Sequence, residues 1–262
     1  IAHYTAALKQ GYRGVAIHRE LAMCYLNQGD LANARDHIDR AEERQRDNRF
    51  IIDLKIQIAC AQGDEDEARR LLDALAGVDS AEFVAHRRSR IEDLFGEPEL
   101  AHRAAAEAVA ANPRPAFEVL ANLVLCQAKT GRHDEAITSL AHLKDLYPTR
   151  NRDVQIGLQC RIAIVQGRFR DALRFWEELQ NQDKAVHLNL RRDAIGGLLS
   201  QTHVPTDERQ QLQSELAGLN QRLEDVSQGQ LQFFHWRRSP LAEVAAASAQ
   251  RASGSMWQDR AQ

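Results

Sequence analysis

Apolar residues recur at spacings of three and four along most of the chain, and polar residues fill the positions between them. Such spacings place apolar side chains on one face of an α-helix, where they can pack against a neighbouring helix. Across residues 15–48 the pattern runs twice, and its stripe residues are Leu21, Ala22, Tyr25, Ala34, Ile38 and Ala41. The pattern therefore predicts paired helices rather than strands.

A glycine followed five residues later by alanine recurs along the chain. The pairs are Gly29 with Ala34, Gly63 with Ala68, Gly96 with Ala101, Gly131 with Ala136, and Gly167 with Ala172. Their period of about 34 residues is typical of stacked helix–turn–helix units. Because glycine accepts the left-handed conformation that ends many helices, we expect it to close the first helix of each unit. We expect the alanine to lie where the two helices cross closely.

The unit resembles the tetratricopeptide repeat, whose two helices carry small and large apolar residues at fixed positions. At the first large position stand His18, Ile52, Leu120 and Ile156. Further matches are Ile56, Ala59, Leu72, Leu75, Leu123, Val124, Leu140, Leu143, Cys160, Ala163, Trp176 and Leu179. The resemblance implies an all-α fold: a right-handed α-α superhelix, or tetratricopeptide-like solenoid, of about five helix–turn–helix repeats plus capping helices.

The same frame predicts the boundaries of the chain's segments. Residues 1–14 hold the second helix of a truncated repeat, and the repeats that follow span 15–48, 49–81, 82–116, 117–152 and 153–185. Capping helices are predicted at 186–228, and an aromatic-basic, then Ala/Ser-rich tail at 229–262. Because the chain opens inside a helix and begins with Ile1, we expect it to be a fragment of a longer protein.

The repeat at 82–116 departs most from the pattern. Arg88, Ser89 and Glu92 occupy positions where core residues are expected. One hypothesis is a polar, arginine-bearing contact patch. The other is a degenerate repeat whose arginines lie along the surface with their stems packed. We expect His86 and His102 to be surface residues.

The tail contains the aromatic-basic cluster Phe233–Arg238. One hypothesis is that this segment docks in a groove of its own chain. The alternatives are a short extension that covers the end of the array, or disorder with helical bias.

Composition excludes several classes of function. The chain has 262 residues and a formal net charge of −3, which gives no global attraction to nucleic acid or to anionic membranes. No apolar run is long enough to span a bilayer. The four cysteines form no C-x-x-C pair, so we predict buried thiols in a reducing cytoplasm.

Motifs for catalysis are absent from the sequence. It has no phosphate-cradling glycine loop, no H-E-x-x-H and no nucleophile elbow. Adjacent carboxylates such as Glu42 and Glu43 point in different directions on a helix and cannot share a proton. We therefore predict that this chain is not an enzyme and uses no cofactor or metal.

The resemblance implies a concave inner wall that is built mainly from the first helix of each repeat. Its inward positions hold Arg19, Met23, Asn27, Phe50, Asp53, Gln57, Phe83, His86, Arg90, Asp93, Glu118, Leu125, Lys129, Val154 and Arg161. This wall is mixed in sign and moderately apolar, which suits a protein or peptide partner such as an amphipathic helix. It lacks the lysine and asparagine set with which some members clamp a carboxylate.

Three functions are consistent with these features. The first is a protein-interaction module of a larger bacterial protein, because the spacing and the late Arg191-Arg192-Asp193 helix are similar to the sensor arrays of STAND-class signalling NTPases, including those of phage defence. The second is a scaffold for envelope polysaccharide export or assembly. The third is RNA binding, which the near-neutral charge and the glycine–alanine pattern disfavour.

Overall fold

The computed structural model describes residues 1–10 and 14–227, apart from the side chains at 2, 7 and 225–227. These residues form an all-α helical-repeat solenoid of thirteen helices and no strands. The helices are α1 (Ala2–Lys9), α2 (Val15–Asn27), α3 (Leu31–Glu42), α4 (Arg49–Gln62), α5 (Glu65–Ala76), α6 (Ala81–Phe95), α7 (Pro98–Ala110), α8 (Phe117–Lys129), α9 (His133–Leu146), α10 (Arg152–Val165), α11 (Phe169–Glu177), α12 (Ala185–Leu199) and α13 (Thr206–Ser227). The predicted docking cluster Phe233–Arg238 lies outside the described residues.

Four of the five predicted glycine turns have the expected backbone. Gly29, Gly63, Gly131 and Gly167 have φ values between +73° and +77°, which is the left-handed region. Asp30 and Asp64 then cap the next helix, because their side chains accept hydrogen bonds from the backbone N–H groups of Asn33 and Glu67. The left-handed turn predicted from the period is therefore confirmed at these glycines.

The turn at Gly96 is different, and the prediction of a left-handed glycine is wrong there. Gly96 has φ −108° and ψ −150°. A Cβ atom at this position would lie 2.1 Å from a carboxylate oxygen of Glu92, so the space above Gly96 is filled by that side chain. The following helix α7 instead begins with Pro98 in its first turn.

The chain divides into two compact units, and the first contains residues 1–126. Within this unit α2 packs on α3, α4 on α5, and α6 on α7. The predicted alanines Ala34, Ala68 and Ala101 are at most 1% exposed, which confirms that they lie at the helix crossings. The apolar surroundings of Ala34 and Ala68 include Ile38, Ala41, Ile52, Ile56, Ala59, Leu72 and Leu75.

The second unit contains residues 127–224, in which α10 packs on α11 and both contact α12. Its core is built from Ile156, Cys160, Ala163, Ala172, Trp176 and Leu179, all predicted from the period. Within α12, position 197 favours glycine, because a Cβ atom there would lie 2.1 Å from the ring of Phe169. The amphipathic α13 covers the end of α12 with Leu212 and Leu219.

Candidate functional site

Successive first helices of the repeats contact one another in the first unit. We call the side chains that α2, α4 and α6 present at the predicted inward positions the helix-A face; its apolar members are Met23, Phe50 and Phe83. Their exposed fractions are 36%, 50% and 41%. The guanidinium carbon of Arg19 lies 5.2 Å from the ring centroid of Phe50, and that of Arg49 lies 4.6 Å from the same centroid. The Phe50 ring is therefore exposed but fixed between two cations.

An ion pair connects α4 with α6 one helical turn beyond these aromatic rings. The side chain of Asp53 accepts a hydrogen bond of 2.8 Å from Arg87 and another of 2.9 Å from Gln57. A second Arg87–Asp53 contact makes the pair bidentate. Because these residues belong to neighbouring helices, the pair fixes the spacing of the helix-A face.

A second polar layer connects α6 with α8 and α7. The Asn122 amide donates to the hydroxyl of Ser89 at 2.8 Å, and that hydroxyl donates to the carbonyl of Ala101 at 2.8 Å. Ser89 is fully buried, and its hydroxyl also lies 3.6 Å from the Cys126 sulfur. Arg90 reaches the Asn122 side-chain oxygen at 3.5 Å. Polar groups at the expected core positions are thus bonded to neighbouring helices.

Two carboxylates of α6 have equally specific partners. Glu92 receives hydrogen bonds of 2.7 and 3.3 Å from Arg69 on α5. Glu82 accepts one from the backbone N–H of Ala116 at 2.9 Å and one from the Asn112 amide at 2.7 Å. Both glutamates are 8% exposed. The Glu92 carboxylate is therefore paired with an arginine of α5, and the Glu82 carboxylate accepts hydrogen bonds from the segment between α7 and α8.

His86 is buried, and the expectation that it lies at the surface is wrong. It is 9% exposed, and its Nδ1 has no hydrogen-bond partner. Burial, followed by the charges of Arg87 and Arg90, lowers the pKa of His86 to about 3. Its imidazole is neutral at physiological pH. The expectation for His102 is not met either, because that side chain is half-buried.

The predicted inward residues do not all lie on one surface. Arg19, Met23, Asp53 and Phe83 join Phe50 on the helix-A face, whereas Gln57 is only 8% exposed. Asn27 is exposed at the end of α2, whereas Asp93 and Leu125 are half-buried within the first unit. A binding role for these residues stays a prediction.

Three predicted inward residues belong to the second unit. Lys129 is half-buried, and Val154 is 43% exposed. Arg161 is only 4% exposed, because its guanidinium forms an ion pair of 3.1 Å with Asp193 on α12. The same carboxylate contacts Arg192 at 2.9 Å. Arg161 therefore presents little surface to a partner.

Three residues of this network were not singled out by the sequence: Arg49, Arg87 and Asn122. Arg87 follows Asp53 by 34 positions, which is one repeat. Opposite charges separated by one period fall at equivalent positions on adjacent helices, so this pair carried a usable sequence signal. Arg49 contacts the Phe50 ring, and Asn122 bonds to Ser89 through its side-chain amide. Neither contact pairs opposite charges, so a charge pattern in the sequence does not predict it.

In the described part of the chain, no group of three or more His, Cys, Asp or Glu side chains could hold a metal ion. Burial raises the pKa of the Cys60 thiol to about 11 and that of Cys160 to about 12, so both are protonated and poor nucleophiles. Of the helices described, none has the length and apolar character needed to cross a membrane.

Comparison with known proteins identifies the repeats. A family model described as tetratricopeptide repeat matches residues 1–49 and 95–151, which hold α1–α3 and α7–α9. Among curated proteins, no relative matches the chain.

Solved structures share the fold at low sequence identity. The crystal structure of PilW, a widely conserved type IV pilus biogenesis factor, has a TM-score of 0.57 at 19% identity, over 81% of this chain and 97% of that chain. A tetratricopeptide repeat protein from Parabacteroides merdae has a TM-score of 0.51 at 14% identity, and the match covers 90% of this chain and 98% of that chain. The pilF protein of Pseudomonas aeruginosa has a TM-score of 0.50 at 16% identity, and the match covers 77% of this chain and 97% of that chain. Residues 1–49 and 95–151 therefore match tetratricopeptide repeats, and the described chain is an all-α helical-repeat solenoid.

Proposed function

We propose that this chain is a protein-interaction module that binds a protein or peptide on the helix-A face of its first unit. The observation that carries the proposal is the set of exposed apolar side chains on α2, α4 and α6, the first helices of three successive repeats. Met23, Phe50 and Phe83 are 36%, 50% and 41% exposed, although each helix also has a buried apolar face. Exposed aromatic residues held in fixed positions are typical anchors of protein interfaces.

The surrounding polar groups support this proposal because they hold the surface in place before binding. Arg19 and Arg49 flank Phe50, and the Arg87–Asp53 pair ties α4 to α6. A surface that is ordered in the free protein loses less conformational entropy when a partner binds. An amphipathic helix suits this surface, because its apolar residues at spacings of three and four can contact successive anchors.

The wider context is also a proposal. We favour a ligand-sensing or scaffolding part of a larger multidomain bacterial protein, such as a signalling or phage-defence NTPase of the STAND class. The four free cysteines favour a reducing cytoplasm over an oxidising compartment. A P-loop encoded upstream in the full-length gene would support this context. A signal peptide there would instead favour the scaffold for envelope polysaccharide export.

The test uses the chain as bait, with its helix-A face altered by Met23→Ala, Phe50→Ala and Phe83→Ala together. A partner captured by the unaltered chain should be lost or bound at least tenfold more weakly, because truncating interface anchors commonly costs over 1 kcal/mol each, about fivefold or more in Kd. The matched control is Leu100→Ala, since Leu100 is 38% exposed on α7. Equal capture by the triple variant, with helicity unchanged in circular dichroism, would refute the proposed surface.

A further inference from the structure

Two histidines meet between α2 and α3, and the candidate interaction surface does not use them. His18 is 5% exposed, and its Nδ1 lies 3.1 Å from the Nδ1 of His37. The centroids of these rings are 5.3 Å apart. The Tyr25 ring stacks on His37, with 5.5 Å between centroids and 13° between planes. Equivalent positions to His18 in other repeats hold Ile52, Leu120 and Ile156, so an apolar contact is replaced here by a polar one.

The contact between the two Nδ1 atoms fixes the protonation state of the pair. A hydrogen bond exists only if one imidazole carries a hydrogen on Nδ1 and the other has an unprotonated Nδ1. The second imidazole must then carry its hydrogen on Nε2. If both Nδ1 atoms are protonated, each is a donor and the bond is lost. The packing of α2 on α3 at this point therefore requires that at most one imidazole is charged.

The surroundings oppose even the first added proton. Burial is the main cause that lowers the pKa of His18, with smaller contributions from His37, Arg40 and Arg44, and Asp36 acts in the opposite direction. Burial also lowers the pKa of His37. Asp36 raises this pKa, and Arg40 lowers it further. Arg40 and Asp36 of α3 form an ion pair of 3.0 Å with each other, and Arg44 follows the end of α3. Burial and these charges together disfavour an imidazolium.

Charged groups on the neighbouring helices are mostly engaged with one another. On α2, Arg19 forms an ion pair with Glu20 at 2.9 Å. On α4, Lys55 forms one with Glu42 of α3 at 2.9 Å. The titratable side chains of α1, which packs on α2, are the exposed His3, Tyr4 and Lys9. These groups leave Asp36, Arg40 and Arg44 as the charges that act on the pair.

We propose that His18 and His37 form an acid-sensitive contact that holds α2 against α3 while the two imidazoles share a single Nδ1 hydrogen. A folded-state pKa below the ordinary value means that the unfolded chain binds more protons in acid. The stabilisation is then present above the unfolded pKa, about 6.5, and is lost as the pH falls through the folded pKa. In that window the unfolding constant rises about tenfold per pH unit for each extra proton bound.

The first test is the imidazole nitrogen NMR spectrum of the whole chain at neutral pH. The proposal predicts one histidine of the pair with hydrogen on Nδ1 and the other with hydrogen on Nε2, assigned by the signals missing in His18→Leu and His37→Leu. Two Nε2–H tautomers in this pair would overturn it.

The second test is urea unfolding between about pH 7.5 and 5.5, the range in which histidine titrates. The pH-dependent rise in the unfolding constant should be smaller in the His18→Leu variant than in the unaltered chain, by up to about tenfold for one proton, because leucine restores an apolar contact that does not titrate. The control is His142→Leu, which alters an exposed histidine on α9 and should leave the rise unchanged. An equal rise in the unaltered chain and in His18→Leu would contradict the proposal.

Discussion

The helix pairs α4–α5 and α6–α7 are neighbours in the first unit and have the same fold, but their interiors differ. At three equivalent positions α4 buries Ile52, Ile56 and Ala59, each at most 7% exposed. The corresponding residues of α6 are Ala85, Ser89 and Glu92, which are at most 8% exposed. At these positions the first pair is therefore wholly apolar, whereas the second buries two polar side chains that have hydrogen-bond partners.

The turns differ in the same way. Gly63 leaves α4 in the left-handed conformation, and no atom lies within 4 Å of the place where a Cβ would stand. Gly96 leaves α6 with an extended backbone, directly beneath the Glu92 carboxylate. That carboxylate is held by Arg69 of the preceding pair. The backbone conformation at Gly63 follows from the glycine itself. The conformation at Gly96 follows from the Glu92 side chain above it and from Arg69, which holds that side chain.

The comparison teaches that a repeat can exchange its apolar core for polar groups if each group has a partner. Buried polar groups contribute little net stability when they are bonded, but they are costly when a partner is removed. The exchange also brings arginines and amides to the helix-A face, where α6 contacts α4 and α8. A polar interior and a structured interaction surface are thus two consequences of the same substitutions.

The largest effect is expected from the apolar pair. Ile56→Ala removes a fully buried side chain from the core of α4–α5. The free energy of unfolding should fall by about 2–5 kcal/mol, because a cavity remains where the side chain packed. Urea denaturation followed by circular dichroism measures this loss.

At the equivalent position in α6, Ser89→Ala should lower the free energy of unfolding by less, about 1–2 kcal/mol, since it removes a few hydrogen bonds and creates little cavity. Equal losses would show that the two interiors are not different in kind.

A smaller effect is expected from Glu82→Ala in the polar pair. This change leaves the Ala116 N–H and the Asn112 amide without their acceptor. Unfolding should become easier by about 1–3 kcal/mol, the usual cost of an unsatisfied buried donor. The control is Glu107→Ala, because Glu107 pairs with Arg88 at the surface and should contribute under about 1 kcal/mol. A Glu82 variant as stable as the control would contradict the structural role given to these bonds.

The smallest effects are expected at the two turns, and their causes should separate. Gly63→Ala should cost about 1–2 kcal/mol, because an L-residue is strained at positive φ. Gly96→Ala should also destabilise, but through the displaced Glu92 carboxylate. In a Glu92→Ala background the Gly96 change should therefore become nearly neutral. A double-mutant cycle measured by thermal unfolding checks this, and additive losses at positions 92 and 96 would refute the link.

The sequence predicted those features that depend on local periodicity. The burial of Ile52, Ile56 and Ala68 follows from spacings within single helices, and the left-handed Gly63 follows from its place at a helix end. The sequence failed where a property depends on distant partners. The Gly96 turn is set by Glu92, and the burial of Arg161 depends on Asp193, 32 positions later.

The candidate surface was predicted in part for the same reason. Inward positions follow from the repeat frame, which includes Met23, Phe50 and Phe83, and all three side chains are exposed. Their role in binding stays a prediction. The frame assigned His86 to the surface as well, because helix position alone does not show how Arg87, Arg90 and the neighbouring helices enclose an imidazole. Burial of a polar residue is a property of the packed array.

The most direct test of the account is site-specific photocrosslinking in cells that express the full-length protein. A photoreactive phenylalanine analogue replaces Phe50 or Phe83 on the helix-A face, or Leu100 on α7 as the control, which has a similar exposed fraction to Phe83. The account predicts the same crosslinked partner protein from positions 50 and 83, and none from position 100. Crosslinks at position 100 with none at 50 and 83 would contradict the claim that the helix-A face is the interaction surface.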